Sequence, residues 1–268
     1  MTRPSRRPPN YGGRYEGRLA VVTGASSGLG EQLCRDLVHA GATVVGLARN
    51  AERLESLGTA LRATSATSHT LACDVSDTAA LRSTLASIGA SHGHIDLLIN
   101  NAAVDPGVRL ADIDEKDFRC TFDVNFFAPV AATLAVLPAM VARGEGIIVN
   151  VSSDGGRLPS PGPGAYPSSK AALSAFSESV FFRLRPKGVH VHVVYPAFMA
   201  TPLGLGALQR GLRQPPKLTV RSVEVVSRTI LARAGESPLE ISVSRLIDAV
   251  MVFRQLLPRA YFWGRKDW

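Results

Sequence analysis

Cysteine is scarce in this chain of 268 residues, which has only Cys34, Cys73 and Cys120. An odd count with no CxxC pair excludes a disulfide framework and a cysteine zinc site, and it fits a reducing compartment. The six histidines form no HExxH pattern, so no metal is expected. No run approaches the roughly 18 apolar residues of a membrane span. Residues 1–17 are basic but lack the apolar stretch of a signal peptide. The expectation is a cytoplasmic protein without a membrane span. Acidic residues are short too, 22 against 30 Lys and Arg, for a formal net charge of +8. Arginine pairs well with phosphate, which raises nucleic acid as a partner. The basic residues are dispersed, however, apart from Arg3, Arg6 and Arg7 at one end and Arg259, Arg265 and Lys266 at the other. A solvated basic surface without nucleic acid is the reading.

A 46% hydrophobic content supports a sizeable core, and this length suits one α/β domain. Residues 1–17, rich in Pro, Arg and Gly, read as a flexible basic tail. Compact apolar runs at 19–23, 43–47, 70–73, 96–100, 146–151, 190–195 and 239–243 predict strands buried on both faces of a parallel sheet. Helical spacing fits 30–40, 52–62, 78–88, 115–143, 165–184 and 223–234. This alternation predicts a doubly wound Rossmann-type α/β fold of about seven strands, with helices on both faces. One dinucleotide-binding and catalytic domain then spans 18–243. Residues 201–218, with little periodicity, read as a lid. Residues 244–268 form a C-terminal helix with an aromatic and basic tail. Mixed Arg and aromatic residues there mark subunit contact, internal packing or a membrane surface; packing or subunit contact is the preferred reading.

Three motifs carry the chemistry. The first strand runs into Gly24-Ala25-Ser26-Ser27-Gly28-Leu29-Gly30, where glycines permit a tight turn and close approach to a pyrophosphate. The second motif is Asn100-Asn101-Ala102-Ala103. The third is Tyr166-x3-Lys170, one helical turn apart and so on one face. Ser153 stands thirteen residues before Tyr166, at the end of the 146–151 strand. An ammonium beside Tyr166 favours its phenolate and would lower its pKa, ordinarily about 10, toward the range of a useful proton donor. The rival Ser152 is turned to the other face by strand alternation.

In this order the motifs resemble those of the short-chain dehydrogenase/reductase family, over about residues 18–234. The resemblance implies an NAD(P)-dependent oxidoreductase acting on a small-molecule carbonyl or secondary alcohol. It makes Ser153, Tyr166, Lys170 and Asn125 catalytic, with Asn125 anchoring a water chain to the lysine. It also implies that Gly24, Ser26, Ser27, Gly28, Leu29, Gly30, Asp74, Val75, Asn101, Ala102, Ala103, Pro196 and Thr201 border the cofactor, together with Tyr166 and Lys170. Ala103 and Ala197 stand where the family more often has glycine. The second strand ends in Ala48-Arg49 rather than in the acid that holds a ribose 2′-hydroxyl. A guanidinium suits a 2′-phosphate, so NADP(H) is expected over NAD(H). Val104, Asp154, Phe198 and Met199, with Ser153 and Tyr166, are expected to meet an apolar substrate. The family's subunit contact through 115–143 and 165–184 implies a homodimer or homotetramer. Two alternatives are a non-catalytic NADP(H)-binding regulator and an extended epimerase or dehydratase. The latter would need a different glycine spacing and an extra domain.

Overall fold

The computed structural model describes residues 11–107, 112–159, 164–210, 214–236 and 238–263. Among them, seven strands form one parallel sheet: β1 (Leu19–Thr23), β2 (Thr43–Ala48), β3 (His69–Ala72), β4 (Leu97–Asn100), β5 (Gly146–Val151), β6 (Val189–Tyr195) and β7 (Glu240–Ser242). Their order is β3-β2-β1-β4-β5-β6-β7, so the chain reverses direction across the sheet between β1 and β4. A ligand crevice opens at the carboxyl ends of the strands at such a switch point. The helices are α1 (Gly28–His39), α2 (Ala51–Arg62), α3 (Thr78–His92), α4 (Glu115–Phe122), α5 (Ala128–Arg143), α6 (Asp154–Arg157), α7 (Ala165–Leu184), α8 (Pro202–Gln209), α9 (Val223–Arg233), α10 (Arg245–Leu256) and α11 (Pro258–Trp263).

The central strands are apolar runs because both faces are covered. Ala20 and Val22 join Leu33, Leu37 and Ile230 in one core, while Leu19 and Val21 join Leu81, Leu98 and Val136 in the other. A polar seam crosses the middle. Asn100 donates to Asn150 at 2.8 Å, and Asn150 donates to Ser177 of α7 at 2.9 Å. Buried amides of this kind are tolerated only when paired, so the seam fixes β4, β5 and α7 relative to one another.

Three expectations need correction. The segment read as a tail is built into the fold from Tyr11 onward. The Tyr15 side chain is 1% exposed, and its hydroxyl donates to the Leu231 carbonyl at 2.7 Å. Arg14 donates to the Ala232 and Ala234 carbonyls at 3.1 and 2.8 Å, capping the C-terminal end of α9, where carbonyls lack partners and a cation is favoured. Residues 1–10, with Arg3, Arg6 and Arg7, lie outside the described residues, as do 264–268. The helix expected over 115–143 is broken by a π segment at Asp123–Phe127. Pro129 has no N–H to give the Asn125 carbonyl, and the ladder shifts so that the Ala128 amide bonds the Asp123 carbonyl. By length and hydropathy this stretch could cross a membrane, yet α5 buries Ala131, Ala132, Val136 and Met140 inside the protein. Finally, the region read as an irregular lid contains α8, whose N-terminus is capped by Thr201. Residues 211–213 lie outside the described residues.

Candidate active site

Strand ends converge on one cleft of about 360 Å³, and the residues following β1, β2, β3, β4 and β6 line it. The turn after β1 needs its glycines. Gly24 and Gly28 have φ of +68° and +57°, and a Cβ on Gly30 would sit 2.2 Å from the Gly24 carbonyl oxygen. Ser27, which caps α1, makes no side-chain capping bond, so the first amides of the helix are left for a ligand. Asn101 holds this turn from the neighbouring strand: its amide donates to the Thr23 carbonyl at 3.0 Å and the Gly24 carbonyl at 3.3 Å. In return Thr23 Oγ1 accepts from the Asn101 and Ala102 amides at 3.0 and 3.1 Å. A backbone cradle with a helix N-terminus behind it fits the pyrophosphate of a dinucleotide.

At one end of the cleft stand Arg49, exposed, and Asp74. Desolvation works to raise the Asp74 carboxyl, but hydrogen bonds from the Ser76 hydroxyl and amide, with the Arg49 charge, hold it below its ordinary value. The residues that end and follow β2 in the cleft are Ala48, Arg49 and Asn50, with no acid among them.

At the other end, α7 carries Tyr166 and Lys170. Ser153 lies near enough to Tyr166 to pull its titration down, and Ser153 Oγ accepts from the Gly155 amide at 3.0 Å as the cap of α6. Lys170 is 2% exposed, and its Nζ donates to the Val151 carbonyl at 2.7 Å, 5.9 Å from the Tyr166 ring centre. Burial pushes the lysine down to about 7. Burial likewise pushes the Tyr166 hydroxyl up to about 12, against the lowering influence of Ser153 and with Asp105 and Asp154 raising it further. The expectation of a lowered tyrosine is therefore not met in this ligand-free arrangement. The protein interior outweighs a lysine whose ammonium is turned to a carbonyl.

Of the residues expected at the site, Gly24, Ser26, Ser27, Gly28, Leu29 and Arg49 line the cleft. So do Asp74, Val75, Asn101, Ala102, Ala103 and Val104, and Tyr166, Lys170, Pro196, Met199 and Thr201 complete that set. Gly30 instead packs under the turn. Asn125, fully buried on the π segment, is not bonded to Lys170 among the described residues. It clamps Val104, accepting from its amide at 2.8 Å and donating to its carbonyl at 2.9 Å, and donates to Ser169 at 3.0 Å. Phe198 stands off the cleft wall and pairs with Val220. Ser153 and Asp154, expected at the substrate, are not among the residues that line the cleft. Ser152, expected to face away, lines the cleft instead; it is 2% exposed and bonds the Lys170 carbonyl and Ser174. Ala48, Asn50, Cys73, Val124, Val151 and Pro202 also line the cleft and were not anticipated; position after a strand end was the signal available for several of them.

The largest omission is Arg157. It donates to Asp154 at 3.2 Å, Ser242 at 3.2 Å and Asp248 at 3.0 Å, and lies over the Tyr195 ring. Nearby, Ala197 sits in a turn with φ +62°. Asp154 is one helical turn away, but Tyr195, Ser242 and Asp248 are distant in sequence, so local spacing does not announce the network.

A family model described as short chain dehydrogenase matches residues 18–208. Dehydrogenase/reductase SDR family member 7B of Bos taurus is 32% identical over 91% of this chain and 79% of its own length. The protein of the same name from Danio rerio is 32% identical over 96% and 86%. Among solved structures, a short-chain dehydrogenase from Streptomyces avermitilis has a TM-score of 0.80 at 27% identity, covering 94% of this chain and 97% of that one. A metagenomic short-chain oxidoreductase in complex with NADP has a TM-score of 0.72 at 30% identity, over 85% and 97%. A Burkholderia phymatum short chain dehydrogenase/reductase in complex with NAD shares the fold, with a TM-score of 0.79 at 24% identity over 90% and 94%. With the glycine turn, the Asn100–Asn101 pair and the Ser153–Tyr166–Lys170 cluster assembled at one sheet edge, the chain belongs to the short chain dehydrogenase family, oxidoreductases that use a nicotinamide cofactor.

Proposed function

We propose that this protein is an NADP(H)-dependent oxidoreductase interconverting a carbonyl and a secondary alcohol, with Tyr166 as general acid/base. The observation that carries the reading is Tyr166 and Lys170 lining one end of the cleft, with Lys170 Nζ 5.9 Å from the Tyr166 ring centre and Ser153 near the tyrosine. The glycine turn and the start of α1 would hold the pyrophosphate, Thr201 and Pro196 the nicotinamide end, and Arg49 a 2′-phosphate. The bound dinucleotide supplies or accepts the hydride. Ser153 donates to the substrate oxygen, and Tyr166 gives that oxygen its proton in reduction or takes it in oxidation. Lys170, held near neutrality in its titration, favours the tyrosinate by charge and would bind the ribose. Val104, Met199 and Leu203 offer the substrate a mainly apolar wall.

The buried thiols Cys34 and Cys73 support a cytoplasmic setting. Exposed Phe127, Leu134 and Phe182 on the α5–α7 side support a homodimer or homotetramer through those helices. The experiment is an NADPH-oxidation screen over ketones, quinones, acyl thioesters and steroids, repeated with NADH and with Arg49→Ala. Turnover with NADPH is expected. The Arg49→Ala variant should weaken NADPH binding by about 1.5–3 kcal/mol, the loss of a charge-assisted hydrogen bond, and leave NADH nearly unchanged. Equal loss with both cofactors removes Arg49 from the 2′-phosphate. NADPH binding without turnover on any carbonyl would favour a binding protein.

A further inference from the structure

A surface helix ordinarily turns its apolar stripe to the core and its charges to water. Helix α10 also carries apolar residues on a side turned to water. Among the described residues, none of α10 is buried. Leu246, Val252, Phe253 and Leu256 are 44%, 53%, 43% and 73% exposed. Their spacing of i, i+6, i+7 and i+10 puts them on one side of the helix. Half-buried Ile247, Val250 and Met251 face the protein, where Asp248 also accepts from Arg157 and Arg254 donates to the Arg157 carbonyl. Arg245 and Arg259, both exposed, flank the apolar side, and the one acid of α10, Asp248, is engaged by Arg157. The next turn, α11, adds exposed Phe262.

We infer that α10 and α11 form a docking face for an anionic lipid surface, with the helix lying in the plane of the headgroups. An apolar stripe bordered by arginines and aromatics is what such a surface binds. The charge pattern decides against a second copy of this chain: a two-fold contact through α10 would face Arg245 and Arg259 with like charges, and Asp248, the one acid of α10, is already paired with Arg157. The overall charge of +8 acts in the same direction.

The face is continuous with the site. The turn Lys217–Thr219, with Leu218 73% exposed, packs beside α10. Phe198 is pinned between Thr219 and Arg221 through backbone hydrogen bonds of 3.2 and 2.9 Å, and the adjacent Met199 lines the cleft. A protein docked this way holds its cleft close to the bilayer, which suits a lipophilic carbonyl substrate. That last step rests on the oxidoreductase reading; the docking does not.

The test is co-sedimentation of the full chain with vesicles of phosphatidylcholine alone and of phosphatidylcholine with phosphatidylglycerol, at low and high salt. Each arginine at an anionic surface is worth roughly fivefold in partitioning, so binding should rise at least about tenfold with phosphatidylglycerol and fall again in salt. Phe253→Glu/Leu256→Glu should abolish binding with the unfolding temperature retained. Should that variant fail to fold, Arg245→Glu/Arg259→Glu changes only exposed charges and should lose the phosphatidylglycerol dependence. The inference is overturned if the wild-type chain stays in the supernatant with both vesicles, or if a folded variant binds as wild type does. It is equally overturned if the wild-type chain ignores vesicles and the variants only reduce its assembly size. None of these readouts uses turnover, so they stand or fall apart from the oxidoreductase reading.

Discussion

The Arg157 guanidinium lies 3.7 Å from the centre of the Tyr195 ring, stacked on the strand that leads to the cleft. From that position it bonds Asp154, next to the active-site serine, and Asp248 of α10. Its side chain is 10% exposed, so the pair with Asp154 is largely out of water. Burial pushes the Asp154 carboxyl up, and Arg157 is what opposes this. Arg157→Met should therefore destabilise the protein by about 3–5 kcal/mol, the cost of leaving a buried charge unpaired. Adding Asp154→Asn should recover part of that loss. Urea unfolding of the two single variants and the double variant checks this, and strictly additive effects would show that the two residues are not coupled.

Ala197 adopts φ +62°, a conformation that costs an L-residue roughly 1–2 kcal/mol and glycine little. Relatives usually carry glycine here by the resemblance noted above. Ala197→Gly should stabilise the chain by about 1 kcal/mol, less the extra entropy of an unfolded glycine, raising the melting temperature by about 2–4 °C at most. Calorimetry showing a lower melting temperature would mean that the methyl packs more favourably than its backbone is strained.

His192 is held as a neutral ring. Its Nδ1 donates to the Pro238 carbonyl at 3.1 Å, while Nε2 accepts from the Gly235 amide at 3.0 Å. Burial takes it down to about 4 from an ordinary 6.5. The unfolded chain thus binds a proton that the folded chain refuses in this window. Its contribution is present above pH 6.5 and is lost as pH falls toward 4, by up to about 3 kcal/mol. Unfolding free energies measured at pH 7 and pH 4.5 should diverge in the wild type, and His192→Gln should flatten that slope. An unchanged slope would assign acid sensitivity to other groups.

Much of this architecture is legible from the chain because parallel strands buried on both faces must be short apolar runs, as Leu19–Thr23 and Gly146–Val151 are. The catalytic cluster is legible for a local reason: Tyr166 and Lys170 are one helical turn apart, and the Ser153 interval spans a fixed strand-to-helix connection. What local pattern cannot show is a partner distant in sequence. Tyr15 reads as part of a tail until the Leu231 carbonyl is found above its hydroxyl. Arg157 reads as a surface arginine until Asp154, Tyr195, Ser242 and Asp248 gather around it. The break at Asp123–Phe127 was hidden because the apolar periodicity runs through it, although Pro129 marks the missing donor. The outward stripe of α10 escaped because periodicity identifies an apolar face without saying which way it points.

The central claim is that the Tyr166 hydroxyl moves the proton. Tyr166→Phe removes only that oxygen, leaving the ring to pack on α7, so folding and dinucleotide binding should persist. Turnover on a carbonyl substrate of the wild-type enzyme, measured at saturating NADPH, should fall by at least about 10²–10⁴-fold, the usual loss on removing a general acid/base. Turnover close to wild type in a correctly folded Tyr166→Phe protein would contradict the assignment.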